Sequence, residues 1–293
     1  MSIADDPMPD LVRTLRSPLP DIRAKAARAL GRLGWLARDA LPQLANALND
    51  TDGAVREAAA QAVGQIGPEA LPQMVKMLGH PDKYVRRNAV WALGKLGPLA
   101  RPAVADLAAA LKDADPRTAA GAAQALGHVG ADAAEAIPQL TEAMRGTNIV
   151  LCRMAAKALS QIGRASLPAL IAHLKHRDPF VRGEAALAVG WMGPAAAAAV
   201  PTLVEALRPT RPVAWKPDPP PASASAPTPA TPITPAPAGP TPEETSRVYA
   251  AQALGRIGPA AAPAAAALAQ AAEDPNDQVR EAARQALKQV QGG

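Results

Sequence analysis

The chain has 293 residues, 48% of them hydrophobic but only 2% aromatic, with a formal net charge of +5 and a pI near 9.6. Its core must therefore be built from Ala, Leu, Val and Ile, side chains small enough to bring helices close together. The lone Cys152 excludes an internal disulfide and a cysteine metal cluster, and the basic balance permits an acidic partner without naming one.

Read in chain order, the sequence repeats itself. ALGRLG (29–34), AVGQIG (62–67), ALGKLG (92–97), ALGHVG (125–130), ALSQIG (158–163), AVGWMG (188–193) and ALGRIG (253–258) recur, and ALKQVQ (286–291) is a degenerate eighth copy. The final glycines 34, 67, 97, 130, 163 and 193 step by 30 or 33 residues; the next, Gly258, follows after 65. That longer step is one repeat plus an insertion of about 32 residues.

Each repeat reads as two helices. In LPQLANAL (41–48), Leu41, Leu44 and Leu48 share one face, and Pro42 sits near the start, where a missing N–H costs little. A short turn follows, with Asp52, Asp82, Asp115, Asn148 or Asp178 placed to cap the second helix. In VREAAAQAVGQIG (55–67), Val55, Ala59, Ala62, Val63 and Ile66 make the apolar stripe. The closing glycine, often before proline (Gly67, Gly97, Gly193, Gly258), predicts a helix end in a left-handed conformation. Gly94-Lys95 is followed by Leu96 and follows no strand, so it is not a phosphate loop.

Inside each second helix a small residue recurs: Gly31, Gly64, Gly94, Gly127, Ser160, Gly190 and Gly255, then Lys288 in the last copy. Four residues earlier stand Ala27, Ala60, Val90, Ala123, Ala156, Ala186 and Ala251, then Arg284. Glycine within a helix costs roughly 1 kcal/mol against alanine. Both positions are therefore expected to face the next repeat and let two backbones approach, and the last copy carries charge as a capping repeat does.

The pattern D-x-x-V-R-x-x-A-x-x-A-L-G-x-[IL]-G, best seen at 52–67, 82–97 and 178–193, resembles HEAT-like repeats of the phycobilin-lyase type over residues 7–208 and 243–290. The resemblance implies an all-α fold, a right-handed α-solenoid of about eight two-helix repeats, armadillo-like, with second helices on the concave side. It also implies an Asp–Arg ladder between repeats, with Asp52, Asp82 and Asp178 as candidate partners of Arg56, Arg86, Arg182 and Arg280. Thr118-Ala119 and Leu151-Cys152 replace Val-Arg, and a softer joint is expected there. The ankyrin and tetratricopeptide signatures are absent.

The chain thus divides into repeats over 1–208, an insertion over 209–242, and the rest of the solenoid over 243–293. The insertion is rich in Pro, Ala, Ser and Thr, a composition that cannot bury a core and favours extended, disordered chain. Trp215, between Arg211 and Lys216, is a candidate tether within it. The start MSIADDPMPDLVRTLRSP has no basic segment leading into an apolar run, so no signal peptide is expected. No apolar stretch of spanning length is expected either, so the reading is a cytoplasmic, monomeric protein without a membrane partner.

Little in the sequence suggests catalysis. Deoxyhypusine hydroxylase resembles this chain in repeat type and holds two irons with His-Glu pairs just after the Val-Arg position. Here those places read Glu57-Ala58, Arg87-Asn88, Ala120-Gly121, Arg153-Met154, Gly183-Glu184, Val248-Tyr249 and Glu281-Ala282, and only Glu184 matches half the motif. His173 and His176 stand three apart on what reads as one helix, but a solvated helix end accounts for them. Cys152 has no His–acid pair to make it a nucleophile. No enzyme activity, cofactor or metal is expected; a lyase or oxidoreductase reading rests on family analogy alone.

The outward line of the second helices is more informative. Counting from the Val of Val-Arg, positions 2, 6 and 10 point away from the apolar stripe. They hold Arg28, Arg32, Arg87, Lys95, Arg153, Lys157 and Arg256, seven glutamines, Glu57, Glu281, His128, and the tryptophans Trp91 and Trp191. The tryptophans lie three repeats apart, roughly 30 Å at about 8–10 Å per helix layer. Exposed Trp beside Arg has the composition of a binding hot spot. The sequence therefore predicts a protein-interaction scaffold that takes a peptide or acidic protein surface on Arg28, Arg32, Arg87, Trp91, Lys95, His128, Arg153, Lys157, Trp191 and Arg256. Nucleic-acid binding through the same basic strip is the alternative.

Overall fold

The computed structural model describes residues 7–209 and 241–292. Most of the predicted insertion, with Trp215 and its tether role, lies outside the described residues. Among those described there is no strand. The described residues form sixteen α-helices in pairs: α1 (Met8–Thr14) and α2 (Pro20–Arg32), α3 (Leu41–Ala47) and α4 (Gly53–Ile66), α5 (Leu71–Leu78) and α6 (Lys83–Leu96), α7 (Val104–Ala110) and α8 (Pro116–Val129). Then come α9 (Ile137–Met144) and α10 (Ile149–Ile162), α11 (Leu167–His173) and α12 (Pro179–Met192), α13 (Val200–Ala206) and α14 (Pro242–Ile257), α15 (Ala265–Ala271) and α16 (Asp277–Gln291).

The helices group into two compact units, 1–173 and 174–293. In the first, α2, α4, α6, α8 and α10 pack side by side in sequence, while α3, α5 and α7 form a second layer behind them. In the second, α14 packs between α12 and α16, with α13 and α15 behind. The core is aliphatic throughout: Leu44, Leu48, Leu93, Leu107, Leu126 and Leu159 are fully buried in the first unit, Leu203, Leu254 and Leu268 in the second. Each such side chain stabilises the fold by roughly 1.5–3 kcal/mol.

Local chemistry sets the helix ends. Asp52 accepts from the N–H groups of Ala54 and Val55, Asp82 from Tyr84, Asp115 from Thr118, Asn148 from Val150 and Leu151, and Asp178 from Phe180. All five expected caps form, and Asn276 caps α16 in the same way. Thr241 caps α14 through a reciprocal pair with Glu244. Residues 241 and 242 therefore belong to a helix start, and the insertion boundary moves back accordingly.

The C-terminal glycines correct an expectation. Gly97 has φ 56° and ψ −129°, and Gly67 has φ 102° and ψ −155°. Their φ is positive, but ψ places them in the mirror-image extended region and not in the left-handed helical well. The chain turns sharply there and enters a 3₁₀ segment, such as Gly97–Ala103, before the next first helix. Only glycine adopts this conformation without strain. Only Gly292 takes the left-handed helical form among the described glycines with positive φ that end a helix.

The helical glycines behave as the spacing predicts. A Cβ on Gly31 would sit 2.8 Å from the Ala62 Cα, on Gly127 3.1 Å from the Ala158 Cα, and on Gly255 3.0 Å from the Ala286 Cα. Each contact is with the next second helix, and Ala27, Ala60, Ala123 and Ala251 are fully buried beside it. Arg284 and Lys288 at the same two places of α16 are exposed.

One run departs from the composition reading. Ala185–Val204 carries no charged residue, and Pro179–Ala206 is long and apolar enough to cross a membrane by length and composition. It is not one straight helix: Gly193, at φ 59°, ends α12, and a 3₁₀ segment separates it from α13. Ala185, Ala186, Ala188 and Val189 are buried in the protein core, which accounts for the apolar run.

Candidate functional site

The second helices of the first unit form an open cleft of about 730 Å³. Its floor and walls come from α4, α6 and α8 and the turns before α4 and α6. Arg56 and Glu57 come from α4, Tyr84, Arg87, Asn88, Trp91 and Lys95 from α6, and Arg117, Gln124 and His128 from α8, with Asp50 and Asp82 in the turns.

Helix geometry explains the gathering. Arg87, Trp91 and Lys95 are spaced four apart, so they form one line along α6. Tyr84 lies one turn before Arg87, which places its exposed ring beneath the guanidinium, 5.3 Å from the ring centroid. The Lys95 ammonium lies 5.6 Å from the Trp91 ring centroid. Each aromatic ring thus carries a cation over its face. Gly94 faces Ala125 and His128 of α8, and Gly121 faces Val90 of α6, both within the cleft lining.

Electrostatics fixes the walls. Arg87 crosses to the cap of the next repeat and holds both oxygens of Asp115, at 2.9 and 3.1 Å. Burial raises the Asp115 pKa, but the Thr118 N–H and hydroxyl and the Arg87 guanidinium outweigh it and hold the carboxyl at about 2. His128 donates from Nδ1 to the Gly94 carbonyl at 3.1 Å, tying α8 to α6. Asn88 reaches back from α6 to the Leu48 carbonyl.

Of the ten candidate residues, Arg87, Trp91, Lys95 and His128 come together in this cleft. Arg28, Arg32, Arg153 and Lys157 lie exposed on α2 and α10, outside it. Trp191, 42% exposed, and the exposed Arg256 belong to the second unit. Position 10 is exposed in all eight copies, whereas position 2 is not a solvent line everywhere: Ala24, Ala120, Gly183 and Val248 are buried against neighbouring helices. The sequence reading missed Tyr84, Arg117, Asp50 and Asp82, which sit at the starts of helices or in turns, where a face count along the helix does not reach. The strip is also less basic than its count suggested, because Asp50, Glu57 and Asp82 line the same cleft.

His173, His176 and Cys152 do not line this cleft. His173 ends α11, but His176 lies in the turn before α12, where its Nδ1 accepts from the Asp178 N–H. The two do not share a helix. Among the described residues no three His, Cys, Asp or Glu side chains gather as metal ligands. Cys152 is fully buried, its thiol donating to the Gly146 carbonyl at 3.1 Å.

The expected ladder exists with a different register. Asp52, Asp82 and Asp178 cap helices instead of binding the arginines. Arg23 and Arg86 instead hold the aspartate two places before the next cap, Asp50 and Asp113, each through Nε and Nη2 at 2.6–2.8 Å. Arg247 pairs with Asp274, two places before the Asn276 cap; Arg182 pairs with Glu243 in the first turn of α14, and Arg280 with Asp277 of its own helix.

Comparison with known proteins gives the fold a family. Importin β has a TM-score of 0.59 to this chain at 14% identity, over 96% of this chain and 42% of importin β. Looser likenesses are human deoxyhypusine hydroxylase (TM-score 0.36, 21% identity, 98% of this chain and 96% of that one) and a designed armadillo repeat protein in complex with the peptide (KR)4 (TM-score 0.41, 21% identity, 64% of this chain and all of that one). No curated protein matches. The family model of HEAT repeats matches residues 8–80, 41–113, 71–151 and 137–214. Stacked helical pairs, the glycine-spaced helix contacts and this match agree: the chain belongs to the HEAT repeat proteins.

Proposed function

We propose that the chain is a non-catalytic interaction scaffold that holds a peptide segment of another protein against its second helices, centred on the cleft between α4, α6 and α8. The observation that carries this reading is the convergence of Trp91, Tyr84, Arg87 and Lys95 in one open cleft of about 730 Å³. Repeat proteins of this build use such extended surfaces for binding, and aromatic and arginine side chains supply most of the affinity at interfaces. The mixed charge of the cleft favours a peptide over a nucleic acid. Arg87 is already neutralised by Asp115, and the cleft lacks the dense run of free cations that a phosphate backbone needs.

The test is affinity capture with the full chain as bait, comparing the wild type with a Trp91→Ala, Trp191→Ala double variant. Circular dichroism should be unchanged in the variant, since neither side chain is fully buried. The reading requires that a specific partner be lost from the variant. Capture that survives both substitutions contradicts it. Nucleic-acid affinity that collapses between low and moderate salt would favour the alternative.

A further inference from the structure

Six arginines occupy the Arg place of the Val-Arg pair or its equivalent: Arg23, Arg56, Arg86, Arg182, Arg247 and Arg280. In all but Arg247 the anchoring follows one scheme. Nη1 donates to two carbonyls just before the helix, as in Arg23 to Ser17 and Pro18, Arg56 to Asp50 and Thr51, and Arg86 to His80 and Pro81. This lock aims the Nε–Nη2 edge outward, and there a carboxylate is bound. Four of the six take one from the following repeat, Asp50, Asp113, Glu243 and Asp274, and Arg280, in the last repeat, takes the exposed Asp277 of its own helix. Arg247 uses Nη1 for its carboxylate; the other four use the outward edge. Arg56 is the exception, with no carboxylate within 4 Å among the described residues.

The cause is one residue. Asp50, Asp113 and Asp274 each accept the N–H of the residue two places on, at 2.8–2.9 Å. In the repeat after Arg56 that place is taken by His80, whose Nδ1 accepts the Asp82 N–H at 3.0 Å. An imidazole that accepts at Nδ1 is neutral and carries its proton on Nε2. It offers a guanidinium a donor where the aspartates offer two acceptors.

The same Arg56 lines the cleft. Gly53, also in the lining, keeps the approach uncovered: a Cβ there would lie 3.5 Å from the Arg56 Nη2. The nearby carboxylates are otherwise engaged. Asp50 gives both oxygens to Arg23, Asp82 accepts from the Tyr84 N–H, and Glu57 accepts from Gln61 Nε2 at 3.4 Å. We propose that Arg56 is the anchor for an Asp or Glu carboxylate of an acidic peptide segment lying in the cleft, bound in the bidentate manner that Asp50 uses on Arg23. A preset guanidinium fork suits a planar carboxylate better than any single-point donor. The inference rests on the scaffold reading above and names the group its ligand must present.

The probe is an N-acetylated, C-amidated hexaglutamate peptide, titrated into the full-length protein at low salt. Binding is read by anisotropy and by the Nε–Hε resonance of Arg56 in ¹⁵N-labelled protein. The peptide should shift that resonance, and Arg56→Gln should weaken binding by about tenfold or more. His80→Asp supplies the missing carboxylate from within, so it should raise the melting temperature and weaken peptide binding by a similar factor. It tests the same edge without removing the arginine. No binding by the wild type at millimolar peptide, or an affinity that either variant leaves unchanged, overturns the proposal. In that event, loss of partner capture by the double tryptophan variant would still stand for the scaffold reading, so the two fail separately.

Discussion

Arg86 holds both carboxylate oxygens of Asp113, at 2.6 and 2.8 Å, and so ties the start of α6 to the turn before α8. Hydrogen bonding by Arg86 leads the effects that lower the Asp113 pKa, against the opposing pull of burial. Removing the arginine leaves a carboxylate that is mostly buried and unpaired. Arg86→Ala should therefore destabilise the fold, read as a lower urea midpoint. Arg56→Ala removes only bonds to carbonyls and should cost clearly less. Equal losses would mean the carboxylate pairing contributes nothing.

Two helical glycines make opposite predictions. A Cβ on Gly31 would meet the Ala62 Cα at 2.8 Å, a backbone atom that cannot yield without moving α4. A Cβ on Gly94 would meet nothing closer than His128 Nδ1 at 3.5 Å, an ordinary contact. Gly31→Ala should lower the melting temperature. Gly94→Ala should raise stability, by up to about 1 kcal/mol from helix propensity.

Asp115 sets part of the acid limb of stability. Its pKa is lowered in the fold to about 2 from the ordinary aspartate value of 3.8, so its stabilisation is fully present above the unfolded value and is lost as pH falls toward 2. Urea midpoints measured from pH 5 down to pH 2 should decline in the wild type. Asp115→Asn should start lower at pH 5 and decline less steeply.

What the sequence reveals here depends on whether a pattern has one physical cause. Small residues at Gly31 and Ala27 recur because neighbouring backbones touch, and nothing else in a helix favours glycine, so their role could be read directly. The caps were legible for the same reason: Asp52 precedes a helix whose first N–H groups need an acceptor. The ladder is misread from sequence because two of the turns carry two acids, Asp50 with Asp52 and Asp113 with Asp115. Local spacing cannot say which caps and which crosses to the arginine. The cleft was half legible. Trp91 and Lys95 show in the helix periodicity, but Arg117 and Asp82 join them only through packing between repeats.

The joint expected at Thr118-Ala119 and Leu151-Cys152 gains no support from the packing. Thr118 is fully buried and its hydroxyl donates to Asp115, Cys152 is fully buried, and α8 packs along α10. Replacing an ion pair by packed apolar groups is often neutral. Amide exchange in α8 and α10 should therefore be no faster than in α4 and α6. Faster exchange confined to α8 and α10 would restore the softer joint.

The proposed role requires that the second-helix face around Trp91 receive another protein. Photocrosslinking from two positions tests it most directly. A benzoylphenylalanine at Gln124, inside the cleft, is compared with one at Lys76, exposed on α5 in the layer behind. A discrete crosslinked partner is expected from position 124, absent from position 76 and suppressed by Trp91→Ala. The same crosslinks from both positions, or crosslinks from 124 that survive Trp91→Ala, would contradict it.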